Sequence, residues 1–208
     1  MQKKGILIVV SGFAGSGKGT LMKELLKNYD NYALSVSATT RAPRPGEEDG
    51  REYFFKTREE FEKMIAKDEL IEYARYVENY YGTPRAYVEK QLADGKDVVL
   101  EIEVQGAMQI KAKFPETLLL FVTPPNATIL KERLVGRGTE TMDVIESRMR
   151  RAGEEAELMK DYDYLIINDE VDRAVQEMHQ IIVSAHQRSI CNTEFIAQMQ
   201  TELKGKEA

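Results

Sequence analysis

Ile6-Leu7-Ile8-Val9-Val10-Ser11-Gly12-Phe13-Ala14-Gly15-Ser16-Gly17-Lys18-Gly19-Thr20 is the stretch whose reading decides the fold. Its opening is a continuous, largely β-branched apolar run, the pattern of a strand buried on both faces of a parallel sheet. Behind the glycine-rich turn come Leu21, Leu25 and Tyr29, spaced to share one helix face. Strand, glycine turn and helix in that order form the setting in which a loop cradles phosphate. Glycines let backbone N–H groups turn inward, and the helix N-terminus adds partial positive charge. The stretch predicts a nucleotide-phosphate site at Gly12, Ala14, Gly15, Ser16, Gly17, Lys18, Gly19 and Thr20. Lys18 is the side chain placed to reach the β- and γ-phosphates.

Outward from this loop, strand and helix signals alternate. Val98-Val99-Leu100, Leu118 to Val122 and Tyr164 to Ile167 read as further buried strands. Between them lie helix patterns at Ala107, Ile110 and Phe114, and at Ile129, Leu130 and Leu134. A last long helix carries Val175, Met178, Ile181, Ile182 and Ala185. The expected fold is α/β, a P-loop parallel sheet with helices on both faces. Two stretches interrupt it. Residues 35–93 switch to short strands and helices, with a capping box at Thr57 and Glu60. Thr83-Pro84 reads as an N-cap followed by a first helical proline, and Gly95 as that helix's stop. Residues 136–157 are charge-rich and read as a mobile, solvated helical flap. The core is then assembled from residues 1–34, 94–135 and 158–208.

Composition narrows the partners. The chain has 208 residues, 42% hydrophobic and 31% charged, enough for a substantial core without disulfide or structural metal. A net charge of −6 argues against nucleic acid, so anionic ligands must meet local Lys and Arg clusters. Cys191 is the single cysteine, which excludes an internal disulfide and points to a reducing compartment. The apolar run from Ile6 to Val10 is too short for a signal segment or a membrane span. A cytoplasmic location is expected, and the sequon at Asn126 to Thr128 is a chance match. His179 and His186, seven apart on one helix, read as surface residues rather than metal ligands.

The most informative segment runs Ser35-Val36-Ser37-Ala38-Thr39-Thr40-Arg41-Ala42-Pro43-Arg44-Pro45-Gly46 and closes with Gly50-Arg51-Glu52-Tyr53. Guanidinium groups fork onto phosphate oxygens bidentately, and a proline between Arg41 and Arg44 stiffens their spacing. A second cluster follows: Leu70-Ile71-Glu72-Tyr73-Ala74, then Asn79-Tyr80-Tyr81-Gly82-Thr83-Pro84-Arg85. These motifs resemble guanylate kinases, and the resemblance extends over about residues 5 to 185. It implies that residues 35–93 form a GMP-binding insertion in which Arg41, Arg44, Tyr53 and Tyr81 hold the GMP phosphate. It also implies that Ser37, Glu72 and Thr83 read the guanine, with help from position 103. The family usually carries Asp there; Glu103 is one methylene longer. Glu72 is therefore expected to carry most of the recognition, while Glu103 turns aside or works through water. Guanine presents a ring N–H beside an amino group, a donor pair that one carboxylate can accept and adenine lacks.

The same resemblance implies that Arg133, Arg137 and Arg148 close over the triphosphate, with residues 136–157 as the lid. Asn168 matches the adenine-side position. Lys18, Arg41, Arg137 and Arg148 are then the catalytic set, and no protein base is required. Gly19 departs from the pattern, which has Ser or Thr at that place to meet Mg2+; Gly-Lys-Gly-Thr is similar in form to adenylate kinases. Either Thr20 supplies the hydroxyl, or nucleotide and water complete the Mg2+ shell without a protein ligand. The expected activity is Mg2+-dependent transfer from ATP to GMP or dGMP, with the oligomeric state open. The rival readings are another nucleoside monophosphate kinase, against which Glu72 and the paired tyrosines argue, and a non-catalytic protein-binding module, against which Lys18 argues.

Overall fold

The computed structural model describes residues 4–76, 78–136, 138 and 141–205. The chain opens with β1 (Leu7–Gly12), α1 (Lys18–Asn28) and β2 (Tyr32–Leu34). It continues through β3 (Ala38–Thr39), β4 (Phe54–Phe55), α2 (Arg58–Ala66), β5 (Leu70–Tyr76), β6 (Asn79–Pro84) and α3 (Arg85–Ala93). Then come β7 (Asp97–Glu101), α4 (Val104–Lys113), β8 (Leu118–Thr123), α5 (Ala127–Gly136) and α6 (Met142–Ala156). The chain closes with β9 (Tyr164–Ile167), α7 (Val171–Ala185) and α8 (Thr193–Lys204).

One sheet of five parallel strands runs β2-β7-β1-β8-β9, with β1 at its centre. Side chains alternate across a strand, so β1 feeds both faces. Ile8 and Val10 pack with Leu21 and Leu25 of α1 and with Val175 and Met178 of α7. Leu7 and Val9 pack with Ala107 and Ile110 of α4 and with Leu130 and Leu134 of α5. Helices cover both faces, as expected, and the C-terminal ends of β1 and β7 meet at one edge of that core. The Tyr164–Ile167 run differs from the expectation of a buried strand. β9 is the sheet edge, so Tyr164, Leu165 and Ile167 are 45%, 49% and 48% exposed while Ile166 is buried.

A second sheet, β4-β3-β6-β5, lies between β2 and α3 in the sequence. It is built on the antiparallel β5–β6 pair and a small core of Ala38, Phe61 and Leu70. Phe61 comes from α2, whose capping box is formed: Thr57 accepts from the Glu60 N–H, and Glu60 reaches back to the Thr57 N–H. Two helix readings change. Pro84, not Thr83, occupies the N-cap of α3, because Thr83 is still within β6 with its hydroxyl turned inward to Glu72. The stretch read as a solvated flap contains α6, whose Ile145, Met149 and Ala152 dock against the second core. Their spacing is a helical stripe that the surrounding charge obscured.

The histidines are not surface groups. Asp97, at the start of β7, is 3% exposed and accepts from the Ile6 N–H at 3.0 Å and from Asn31 at 3.2 Å. His186 Nε2 lies 2.9 Å from the same carboxylate. His179 stacks on Tyr29 at 3.7 Å and meets the Tyr32 hydroxyl at 2.7 Å. This knot ties α7 to the base of the sheet, at the opposite end from the glycine loop. Asp97→Ala removes the acceptor of the buried Ile6 N–H and the shared partner of Asn31 and His186, and should cost about 3 kcal/mol, roughly 8 °C in thermal melting. A melting shift under about 2 °C would show that the network is not structural.

Candidate active site

The glycine loop spans β1 and α1. Gly17 caps α1 in the left-handed region (φ 91) and, having no side chain, gives the helix N-terminus no side-chain cap. Such an uncapped N-terminus favours an anion. Gly17 also faces Asn168 so closely that a Cβ would collide with its amide, and Gly12 abuts the Val122 carbonyl in the same way. Only glycine fits at either point. Lys18 folds over the loop, its ammonium donating to the Gly12 carbonyl at 2.6 Å and to that of Phe13 at 3.2 Å. Asn168 donates to the Ser16 carbonyl at 2.8 Å; Arg133 donates to the same carbonyl at 3.3 Å and to that of Asn168 at 2.8 Å. Both residues thus brace the loop from behind. The hydroxyl of Ser16 and the carbonyl oxygen of the Asn168 side chain are buried with no hydrogen-bond partner among the described residues.

Glu101 was missed in the sequence. It ends β7 beside the loop, and desolvation raises its pKa while the Lys18 charge opposes the rise. Its charge also reaches Tyr53, whose phenol is raised chiefly by burial and by the neighbouring Tyr81. Glu101 is therefore within electrostatic reach of both the loop lysine and the tyrosine cluster. A carboxylate ending a buried strand beside a phosphate loop is the signal that could have found it. Glu101 and the exposed Thr20 offer hard oxygens of the kind that suit Mg2+ and its water shell. The donor chemistry fits the ion.

The tyrosine cluster is compact. Tyr53 and Tyr81 have ring centroids 6.0 Å apart, and the Arg41 guanidinium stands 5.4 Å from the Tyr53 ring centre. Arg41 is bound to Glu47 of its own loop, and Arg44 follows on the exposed turn. Further along the same small sheet, Glu72 is 6% exposed. The Thr83 hydroxyl donates to its Oε1 at 2.7 Å, and its Oε2 lies 3.5 Å from where a Cβ on Gly106 would sit. Burial is the main cause of a raised Glu72 pKa, with Thr83 opposing it. A desolvated carboxylate with one oxygen engaged is a demanding acceptor for a paired donor. Ser37 lies beside β3, half-buried, its carbonyl accepting from Phe54 N–H at 2.9 Å.

Glu103 is directed elsewhere. Its side chain is 75% exposed and pairs at 3.0 Å with Arg151 on α6, which also holds Glu155 at 2.9 Å. Arg148 is half-buried on the same helix. Arg137, expected over the triphosphate, lies outside the described residues.

Compared with known proteins, the chain matches the family model described as guanylate kinase over residues 4–185. It is 55% identical to a guanylate kinase of Halalkalibacterium halodurans over 185 residues, covering 89% of this chain and 91% of that protein. With a Bacillus cereus guanylate kinase the identity is 52%, covering 97% of both. Among solved structures, the guanylate kinase from Anaplasma phagocytophilum superposes with a TM-score of 0.71 at 30% identity, covering 91% of this chain and 90% of the other.

Proposed function

The chain belongs to the guanylate kinase family, and on that premise we propose how its residues divide the transfer of a phosphate from ATP to GMP. As an ATP:GMP phosphotransferase it needs no protein base. The attacking group is a phosphate oxygen whose second pKa is about 6, already mostly ionised at neutral pH. What remains is alignment and charge neutralisation. Lys18 exchanges its loop carbonyls for the β- and γ-phosphates of the donor. Gly12, Ala14, Gly15, Ser16, Gly17, Gly19 and Thr20 surround those phosphates, while Arg133 and Asn168 keep the loop in shape beside the adenine. Arg137 and Arg148 neutralise the group in transit.

On the acceptor side, Arg41, Arg44, Tyr53 and Tyr81 hold the GMP phosphate, and Ser37, Glu72 and Thr83 read the base, with Glu103 at its margin. Residues 35–93 then form the acceptor-binding unit and residues 136–157 a lid on the core. Glu101 and Thr20 would hold the water shell of Mg2+, which would supply charge neutralisation to the transferring phosphate when bound. We place the enzyme in the cytoplasm; no helix among the described residues is long and apolar enough to cross a membrane.

The buried Glu72–Thr83 pair carries the guanine assignment. Adenine has no adjacent ring N–H and amino donors, so it would leave the desolvated carboxylate unmatched, a penalty that can reach about 10⁴ in discrimination. A coupled assay for ADP should show GMP and dGMP as good acceptors and AMP, CMP and UMP as poor ones. Comparable turnover of AMP and GMP would sink the assignment.

A further inference from the structure

Glu47 occupies the turn between Arg44 and Glu48, and its bonds are those an arriving phosphate would make. Both carboxylate oxygens accept from Arg41 Nη2 at 2.9 Å, and Oε2 also accepts from the Arg44 backbone N–H at 2.7 Å. The Glu47 N–H returns to the Arg44 carbonyl at 3.0 Å, closing the turn around Gly46. Arg41 and Glu47 are mostly enclosed, with side chains 16% and 17% exposed. The Arg44 N–H, and after it the Arg41 guanidinium, hold the Glu47 carboxyl below the usual carboxylate range. The same guanidinium faces the rings of Tyr53 and Phe55 at 5.4 and 5.8 Å.

We propose that Glu47 is a resident anion: it fills the acceptor-phosphate site of the empty enzyme and is displaced when the phosphate of GMP arrives. The proposal rests on the assignment of Arg41 and Arg44 to that phosphate. Its physical basis is that a partly enclosed guanidinium gains from a nearby counter-charge, so the empty site favours one. Arg41 Nη2 has only two N–H donors, and Glu47 takes both contacts. A phosphate dianion brings more charge and more acceptor oxygens than a carboxylate, so it can win the exchange. A guanosine without phosphate cannot. Because Glu47 stabilises only the empty state, it lowers the apparent affinity for the acceptor. After transfer it returns to Arg41 and favours release of the product.

A reading in which Glu47 only aims Arg41 predicts the opposite sign, which makes Glu47→Gln decisive. Glutamine keeps the shape and an acceptor for the Arg44 N–H but removes the charge. In the full chain, KM for GMP should fall about fivefold, the scale of one partly exposed ion pair, with kcat little changed. Inorganic phosphate, followed by calorimetry, should bind the variant more tightly than the parent. A rise in KM for GMP, or weaker phosphate binding, would overturn the exchange. If Glu47→Gln does not fold by circular dichroism, Glu47→Asp takes its place: the shorter side chain slackens the Arg41 pair and should also lower KM, and a raised KM overturns the idea. Arg41→Ala separates the two levels of the argument. It should raise KM for GMP on the order of 100-fold, the cost of losing a bidentate phosphate contact. An unchanged KM in that variant would remove the phosphate assignment and the exchange with it.

Discussion

Lys18→Met should lower kcat on the order of a thousandfold while leaving the fold intact. The lysine opens α1, and in the empty enzyme its ammonium donates to the Gly12 and Phe13 carbonyls at 2.6 and 3.2 Å. Those carbonyls sit at the cleft, so losing the bonds costs about 1–2 kcal/mol and a few degrees in melting. In the transition state the balance is different. Charge spreads over the γ-phosphate oxygens, and a fixed cation in a site closed to water is worth far more than the same cation in the ground state. Methionine matches the length of the lysine stem without the charge, so the comparison isolates electrostatics. Lys18 also opposes the desolvation that raises Glu101, so the variant should lose activity at higher pH on the acid side than the parent. Steady-state kinetics with circular dichroism checks both points. A retained kcat with only a raised KM for ATP would make Lys18 a binding group and no more.

The parts of this fold that were legible in sequence are those whose physics is local. Ile8, Val9 and Val10 are wholly buried, and a strand covered on both faces must be apolar at every position. The Thr57–Glu60 capping box closes within one helical turn and was readable for that reason. The misses have another cause. β2 is three residues long, too short to show periodicity, and it exists because Tyr32–Leu34 pairs with β7. His186 and Asp97 are 89 positions apart, so their bond had no sequence signature. Glu101 looked like the charged end of a strand until the fold brought it within electrostatic reach of Lys18 and Tyr53. α8 carries Phe195, Met199 and Leu203 exposed at helical spacing, so its formation was not signalled by a buried stripe.

Glu72 and Glu103 offer the sharpest contrast in expected effect, because burial separates two residues of similar chemistry. Glu103 is 75% exposed and shares its charge with Arg151, so an ion pair there is worth little. Glu103→Asp shortens that side chain by one methylene and should change KM for GMP only about threefold. Glu72 is 6% exposed, and replacing one of its oxygens by an amide nitrogen sets a donor against the donors of guanine. Glu72→Gln should raise KM for GMP at least about 100-fold. The same variant should melt higher than the parent at pH 7. Burial raises the folded pKa of Glu72 above its ordinary 4.5, so the folded protein binds the proton more tightly than the unfolded chain does. The stability tied to that proton is full below 4.5 and is lost as pH rises through the folded pKa. Glutamine is neutral throughout and can still accept from the Thr83 hydroxyl, so it escapes the loss. The melting gap should therefore close as the pH is lowered below 4.5. For the parent, KM for GMP should rise more steeply as pH falls than it does in Glu72→Gln, because protonation of the carboxylate adds to the protonation of the GMP phosphate that both proteins share. Steady-state assays and thermal melts across pH test the whole chain of reasoning. If Glu103→Asp proved as damaging as Glu72→Gln, or if Glu72→Gln melted lower than the parent at pH 7, recognition by the desolvated Glu72 carboxylate would be the wrong account of how this enzyme selects guanine.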